Sequence, residues 1–198
     1  MQKIPRILVA GDSFAAPWKG PYYGWAELLA HYYKVTNLAQ AGVGEYKILQ
    51  QLKTQDLQKF DCVIVSHTSP SRVHTKEHPV HKKGLHQNCD LIFTDLEGQD
   101  QWFNESLKTA KNWFKYHYDD QYQTDIYKLI RQEINNLISI PYISLTHLDI
   151  DKSFNIEKNV IDFSEFWQHN KGLVNHYSEY ANQEICQQLR IKIEEITC

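Results

Sequence analysis

The chain has 198 residues, 42% of them apolar and 13% aromatic, with 21 basic against 24 acidic side chains and a formal net charge of -3. A chain of that length can bury a core large enough to fold without disulfides or a structural metal. The near-neutral balance gives no general attraction to phosphate backbones or anionic membranes, because such binding rests on clustered Lys and Arg. Neither nucleic acid nor a membrane is expected as a partner.

The cysteines Cys62, Cys89, Cys186 and Cys198 are scattered and form no C-x-x-C pair, which reads as reduced thiols in a cytoplasmic protein. Met1 to Ile7 is too polar for a signal peptide, and no apolar run has the length of a membrane span. Without repeats, low-complexity tracts or linkers, a single domain over residues 1–198 is expected, carrying a His-rich loop insertion around 70–88.

Arg6 to Ala10 is a short apolar run ending in Gly11-Asp12-Ser13, the pattern of a buried strand that delivers a polar turn at its carboxyl end. Gly24 to Ala30 keeps helical spacing, Lys34 to Leu38 suits a second strand, and Glu45 to Leu57 a helix with Ile48, Leu49 and Leu52 on one face. A third strand follows at Asp61 to Ser66. From Ser69 to Asn88 the sequence is rich in His, Pro and Lys without a period, as in a long loop. Gln99 to Tyr118 and Asp119 to Ile138 read as helices, the second with a buried stripe of Tyr122, Ile126, Leu129, Ile130, Ile134, Leu137 and Ile138. Tyr142 to Leu145 is a fourth strand, Thr146 to Lys171 reads as irregular, and Ser178 to Ile196 as a closing helix. Strands alternating with helices predict an α/β fold: a three-layer sandwich around a mostly parallel sheet of flavodoxin-like type.

In such a sheet, ligands bind outside the carboxyl ends of the strands. Three segments fall there. Ser13, after Gly11-Asp12, is a candidate nucleophile, with helix capping as the plainer reading of a Ser in a turn. Asn37 to Gly44 brings two glycines ahead of a helix, where a backbone N–H can face a developing negative charge or merely shape a loop. His176, just before the last helix, is placed to accept a proton from Ser13.

Together these segments resemble the SGNH hydrolases, also called GDSL esterases. Gly11-Asp12-Ser13-Phe14 matches that family's first block, Asn37-x-Ala39-x-x-Gly42 its second, and His176-Tyr177-Ser178-x-x-Ala181-Asn182 its last, in the family's order. The resemblance implies Ser13 as nucleophile, His176 as base, and the backbone N–H groups of Ser13 and Gly42 in the oxyanion hole, with no cofactor and no metal. Two positions depart from the family. Its third block offers an Asn after the third strand, where this chain runs Ser66-His67-Thr68-Ser69-Pro70-Ser71-Arg72, leaving Thr68 or Ser69 to complete the oxyanion hole. The family's Asp before the catalytic His is Leu173 here, so the plain reading is a Ser-His dyad, with Asp162, Glu165 or a backbone carbonyl to orient His176.

Within the segment containing His74, His78, His81 and His86, Pro79 interrupts any helix and the interleaved lysines repel a cation, so zinc is not expected. The loop reads either as a rim binding the anionic or hydroxyl-rich part of a substrate or as a solvated cover. Arg72 and His81, with Asp12 and His67 beside the turns, are the expected substrate contacts. Trp102, Trp113, Phe114, Tyr116, Tyr118 and Tyr122 read as helix-packing aromatics. The function expected is removal of a small acyl group from a carbohydrate or similar hydroxylated substrate. Transfer of the acyl group to a glycan, or non-catalytic binding of a glycan or partner, are the alternatives.

Overall fold

Alternation of side chains along each strand lets one sheet build two cores, because successive residues point to opposite faces. The computed structural model describes residues 4–17, 20–99, 103–148, 159–172 and 176–197. Its strands are β1 (Arg6–Gly11), β2 (Lys34–Asn37), β3 (Cys62–Ser66), β4 (Tyr142–Thr146) and β5 (Val160–Asp162), joined in the order β2-β1-β3-β4-β5. Every pairing is parallel. The helices are α1 (Trp25–Leu29), α2 (Glu45–Lys53), α3 (Phe93–Glu97), α4 (Glu105–His117), α5 (Asp120–Leu137), α6 (Ser164–His169) and α7 (Glu179–Thr197).

On one face, Ile7 and Val9, Cys62 and Ile64, and Ile143 and Leu145 meet Trp25 and Leu29 of α1 and Ala181, Ile185, Leu189 and Ile193 of α7. On the other, Leu8, Ala10, Val63 and Val65 meet Ile48, Leu49 and Leu52 of α2 and Ile134 of α5. Helices thus cover both faces of a parallel sheet, giving the three-layer α/β sandwich that the strand and helix pattern predicts. No helix among the described residues is long and apolar enough to cross a membrane.

Several expectations are corrected. The stretch read as irregular holds β5 and α6, both too short for a clear period, while 149–158 lies outside the described residues. The helix expected from Gln99 begins at Glu105, where the Asn104 side chain accepts from Leu107 N at 3.0 Å, and a separate short helix, α3, precedes it. In α5 the buried residues are Tyr127, Arg131 and Ile134, whereas Tyr122 and Leu129 are each 65% exposed. The rest of the expected stripe reaches the core, with Ile134 and Ile138 buried and Ile130 and Leu137 packed against them, and Arg131 joins it, lying against Tyr127 and beside Ser144. Of the aromatics read as packing residues, Phe114 is buried, but Tyr116 and Tyr122 lie at the surface and Trp113 is partly exposed; Trp102 lies outside the described residues.

β1 leads to β2 on one side of the sheet and β3 lies on the other, so the ends of β1 and β3 flank the crevice where the strand order reverses. Close approach there requires a glycine: a Cβ on Gly11 would sit 2.6 Å from Ser66 Cβ. The Gln51 side chain of α2 then clamps the strand end, accepting from Gly11 N at 2.8 Å and donating to Gly11 O at 3.1 Å. Replacing Gln51 by Leu strands the buried Gly11 N–H, at about 1–3 kcal/mol, whereas Gly11 O keeps the Gln40 N–H at 3.0 Å. Gln51→Leu is therefore expected to lower the denaturant midpoint by an amount equivalent to about 1–3 kcal/mol; an unchanged midpoint would show that the clamp is dispensable.

Candidate active site

The turn after β1 is organised by Asp12. Its backbone carbonyl accepts from Ala15 N at 3.2 Å and Ala16 N at 3.0 Å, and its side chain accepts from Phe14 N at 3.0 Å. Capping of this turn is thus the work of Asp12. Ser13 is 8% exposed, at the carboxyl end of the sheet.

Phe14 carries the turn toward the last block of the chain. Its ring lies 5.2 Å from the His176 ring, 5.3 Å from Tyr177 and 4.7 Å from His147, on which it stacks. The histidine segment is fixed by short polar contacts: Tyr22 donates to Tyr177 O at 3.1 Å, Asn182 accepts from Trp25 N at 2.9 Å, and Asn182 Nδ2 donates to Ser178 O at 3.0 Å. Gly172 is obligatory beside it, since a Cβ there would meet Tyr177 O at 2.4 Å. Phe14, Pro21, Tyr22, Gly24, His176 and Tyr177 line a slot of about 30 Å³. Such a volume accepts a group of only a few heavy atoms, given that one water needs about 10–15 Å³ on this measure.

Beneath the turn runs a buried polar chain that the sequence did not reveal. Ser66 Oγ is 2.8 Å from His147 Nε2, and His147 Nδ1 is 2.6 Å from the Tyr177 hydroxyl. Ser66 also reaches Asp12 Oδ1 at 3.5 Å. His147 is kept neutral, its value lowered to about 3, first by burial and then by neighbouring His67 and His176. One consistent set of protons has Tyr177 donating to Nδ1, Nε2–H donating to Ser66, and Ser66 donating toward Asp12. Asp162, one of the two acids considered for orienting His176, acts electrostatically on both His147 and Tyr177 and accepts from Ser164 N at 2.9 Å. Glu165 is exposed in α6.

The remaining expected contacts divide sharply. Gly42 has φ +74, a conformation that favours glycine, and a Cβ there would sit 2.6 Å from Cys89 Cβ. Its carbonyl accepts from Asp90 N at 2.9 Å and from Arg72 Nη1 at 3.2 Å, while its N–H takes no part in the turn and loop hydrogen bonds of the described residues. Thr68 is fully buried, accepts from Arg72 Nε at 3.2 Å and is hydrogen-bonded to Asp12. Ser69 is less buried; its hydroxyl accepts from Ser71 N at 3.2 Å, which leaves its proton to donate.

His67, expected to touch substrate, has no exposed surface and is paired through Nδ1 with Glu45 Oε1 at 2.5 Å. Asp12 is likewise turned inward, and His81 is hydrogen-bonded to Asp95 of α3 at 2.9 Å. These three hold protein groups in this arrangement. Of the expected contacts, Arg72 lines a cavity of about 280 Å³ shared with Glu45, His74, Asp90, Tyr122 and Gln123. The Leu173 position lies outside the described residues. In comparisons with known proteins, no family model and no curated sequence matches the chain.

Burial raises the Asp12 carboxyl from 3.8 to about 6, against the opposing pull of the Phe14 N–H and of Arg72. A carboxyl held higher in the folded than in the unfolded chain costs stability as pH rises between those two values. Lowering of His147 acts in the other direction, removing stability as pH falls below its ordinary 6.5. Asp12→Asn is expected to gain on the wild type progressively between about pH 4 and 6.5 in denaturant midpoint, over any constant offset; a difference that does not vary with pH would contradict an ionisable Asp12 in the folded core.

Proposed function

We propose that this protein is a serine esterase of SGNH type that removes a small acyl group, acetyl foremost, from a carbohydrate or similar hydroxylated substrate. The observation that carries the reading is the approach of Phe14, the residue next to Ser13, to within 5.2 Å of the His176 ring, both side chains lining a slot sized for a short acyl chain. The order of the three sequence blocks supports it independently.

In this reading Ser13 Oγ attacks the ester carbonyl carbon while His176 takes the hydroxyl proton. The carbonyl electron pair moves to oxygen, where the N–H groups of Ser13 and Gly42 and the Ser69 hydroxyl receive it. As the tetrahedral species collapses, the ester C–O bond breaks and His176 returns the proton to the leaving sugar oxygen. Water then attacks the acyl-serine with the same histidine as base, releasing the carboxylic acid. Asp162 supplies the negative charge on the histidine side, a positioning role open to it because Leu173 cannot fill it. Arg72 contributes twice, holding the Gly42 carbonyl and presenting a cation to the larger cavity, where an anionic or hydroxyl-rich part of the substrate would lie. We place this activity in the cytoplasm, supported by the free thiols of Cys62, Cys89 and Cys186.

The reading is tested by hydrolysis of a series of sugar and aryl esters differing in acyl length. Acetyl esters should be turned over fastest, and Ser13→Ala or His176→Ala should lower kcat/KM by about 10³-fold or more. Preference for long acyl chains, or full activity in Ser13→Ala, would overturn it.

A further inference from the structure

The segment read as either a substrate-binding rim or a solvated cover contains an arrangement that its sequence spacing concealed. Among the described residues, the ligand atoms of His78, His81 and Cys89 all lie within 4.8 Å of one another. Asp95, at the start of α3, adds a carboxylate oxygen 2.9 Å from His81 Nε2 and 3.6 Å from His78 Nε2. His78 has no exposed surface, and its Nε2 is buried without a hydrogen-bond partner while aimed at this group. A buried ring nitrogen left in that state is costly and points to a missing partner.

The two arguments against a cation here do not survive the three-dimensional placement. Pro79 breaks any helix, but no helix is needed: a tight turn brings His78 and His81 together, with ring centroids 4.6 Å apart. The Lys and Arg side chains that act on His78 and Cys89 are already held by other groups. Lys47 lies 2.8 Å from Asp90, and Lys82 is held by Glu77. Arg72 is engaged by Thr68 and by the Gly42 carbonyl.

We propose that His78, His81 and Cys89, completed by Asp95, form a structural zinc site that pins the loop from His78 to Asp95 against the turn containing Gly42. Two imidazoles, a thiolate and a carboxylate are a tetrahedral zinc set; at bonds of about 2.0–2.3 Å its donors stand about 3.3–3.8 Å apart, so modest closure of the present cluster suffices. The thiolate and carboxylate neutralise the ion, as a largely buried site requires. An entry path exists because the His81 and Asp95 side chains are 29% and 36% exposed, respectively.

Proton balance makes the proposal specific. Without the ion, His78 Nδ1 accepts from Val80 N at 3.2 Å and from His81 N at 3.1 Å, so its proton rides on Nε2. Coordination through Nε2 moves that proton to Nδ1 by way of solvent, breaks the two backbone contacts and releases the Cys89 thiol proton. The gain is a cross-link in a region with one short 3-10 turn, Gly84–His86, and a single bridge between Val73 and Leu91. Cys89 is also the residue packed against Gly42, so the link ends at that glycine turn.

The test uses the full chain, freed of metal by a chelator and titrated with Co²⁺ alone, then with Zn²⁺. Expected are one equivalent bound, a thiolate-to-cobalt absorption band with intense tetrahedral visible bands, displacement of both by Zn²⁺, and loss of protection from hydrogen exchange at the Val80 and His81 amides. Cys89→Ser should abolish the thiolate band. His81→Ala, at a partly exposed position that tolerates truncation, should weaken binding at least tenfold, and His117→Ala on the exposed end of α4 should leave it unchanged. Absence of cobalt bands with folded wild-type protein, or bands that persist in Cys89→Ser, would overturn the proposal.

Discussion

The buried carboxyl of Asp12 is the constraint around which the carboxyl end of the sheet is arranged. It follows an interior strand, in a place where every polar atom must find a partner within the protein. Its oxygens hold the turn that carries Ser13 and Phe14, reach Ser66 at the end of β3, and draw on Thr68, which in turn receives Arg72. Ser66 continues through His147 to Tyr177, the neighbour of His176. The turn carrying Ser13 and the histidine segment, separated by most of the chain, are therefore coupled by one hydrogen-bonded chain below and by the ring of Phe14 above.

That coupling explains why residues expected to face substrate are turned inward. Asp12 and His67 occupy positions beside the crevice, yet a parallel sheet covered on both faces leaves little solvent at its strand ends, and polar side chains there bind each other first. His67 pairs with Glu45 at the start of α2, fixing that helix against β3. Arg72 stands at the boundary, with part of its guanidinium committed to the glycine turn and part facing the larger cavity. Contact with a ligand and maintenance of the Gly42 geometry are thus joined in one side chain.

The sheet was legible in the sequence because buried parallel strands leave short apolar runs, and Arg6 to Gly11, Cys62 to Ser66 and Tyr142 to Thr146 all do. The long helices were legible from their period, although the start of α4 at its Asn104 cap was not. What escaped reading lacked either signal: β5 and α6 are too brief for a period, and Arg131 breaks the apolar stripe of α5 although it is buried. Ser13, Gly42 and His176 were marked by turn chemistry and order along the chain. Ser66, His147 and Tyr177 carry no such mark, since a Ser, a His and a Tyr at unrelated positions acquire meaning only when the sheet brings them together. The same is true of His78, His81 and Cys89.

Whether Ser13 and His176 act as a reacting pair is most directly read by intact-mass analysis of the folded protein after exposure to a fluorophosphonate, which phosphonylates only an activated serine. One adduct on the wild type, mapping to Ser13 and lost in both Ser13→Ala and His176→Ala, is the expected result. A folded wild-type protein that takes up no probe, or an adduct that survives in Ser13→Ala, would contradict the esterase reading.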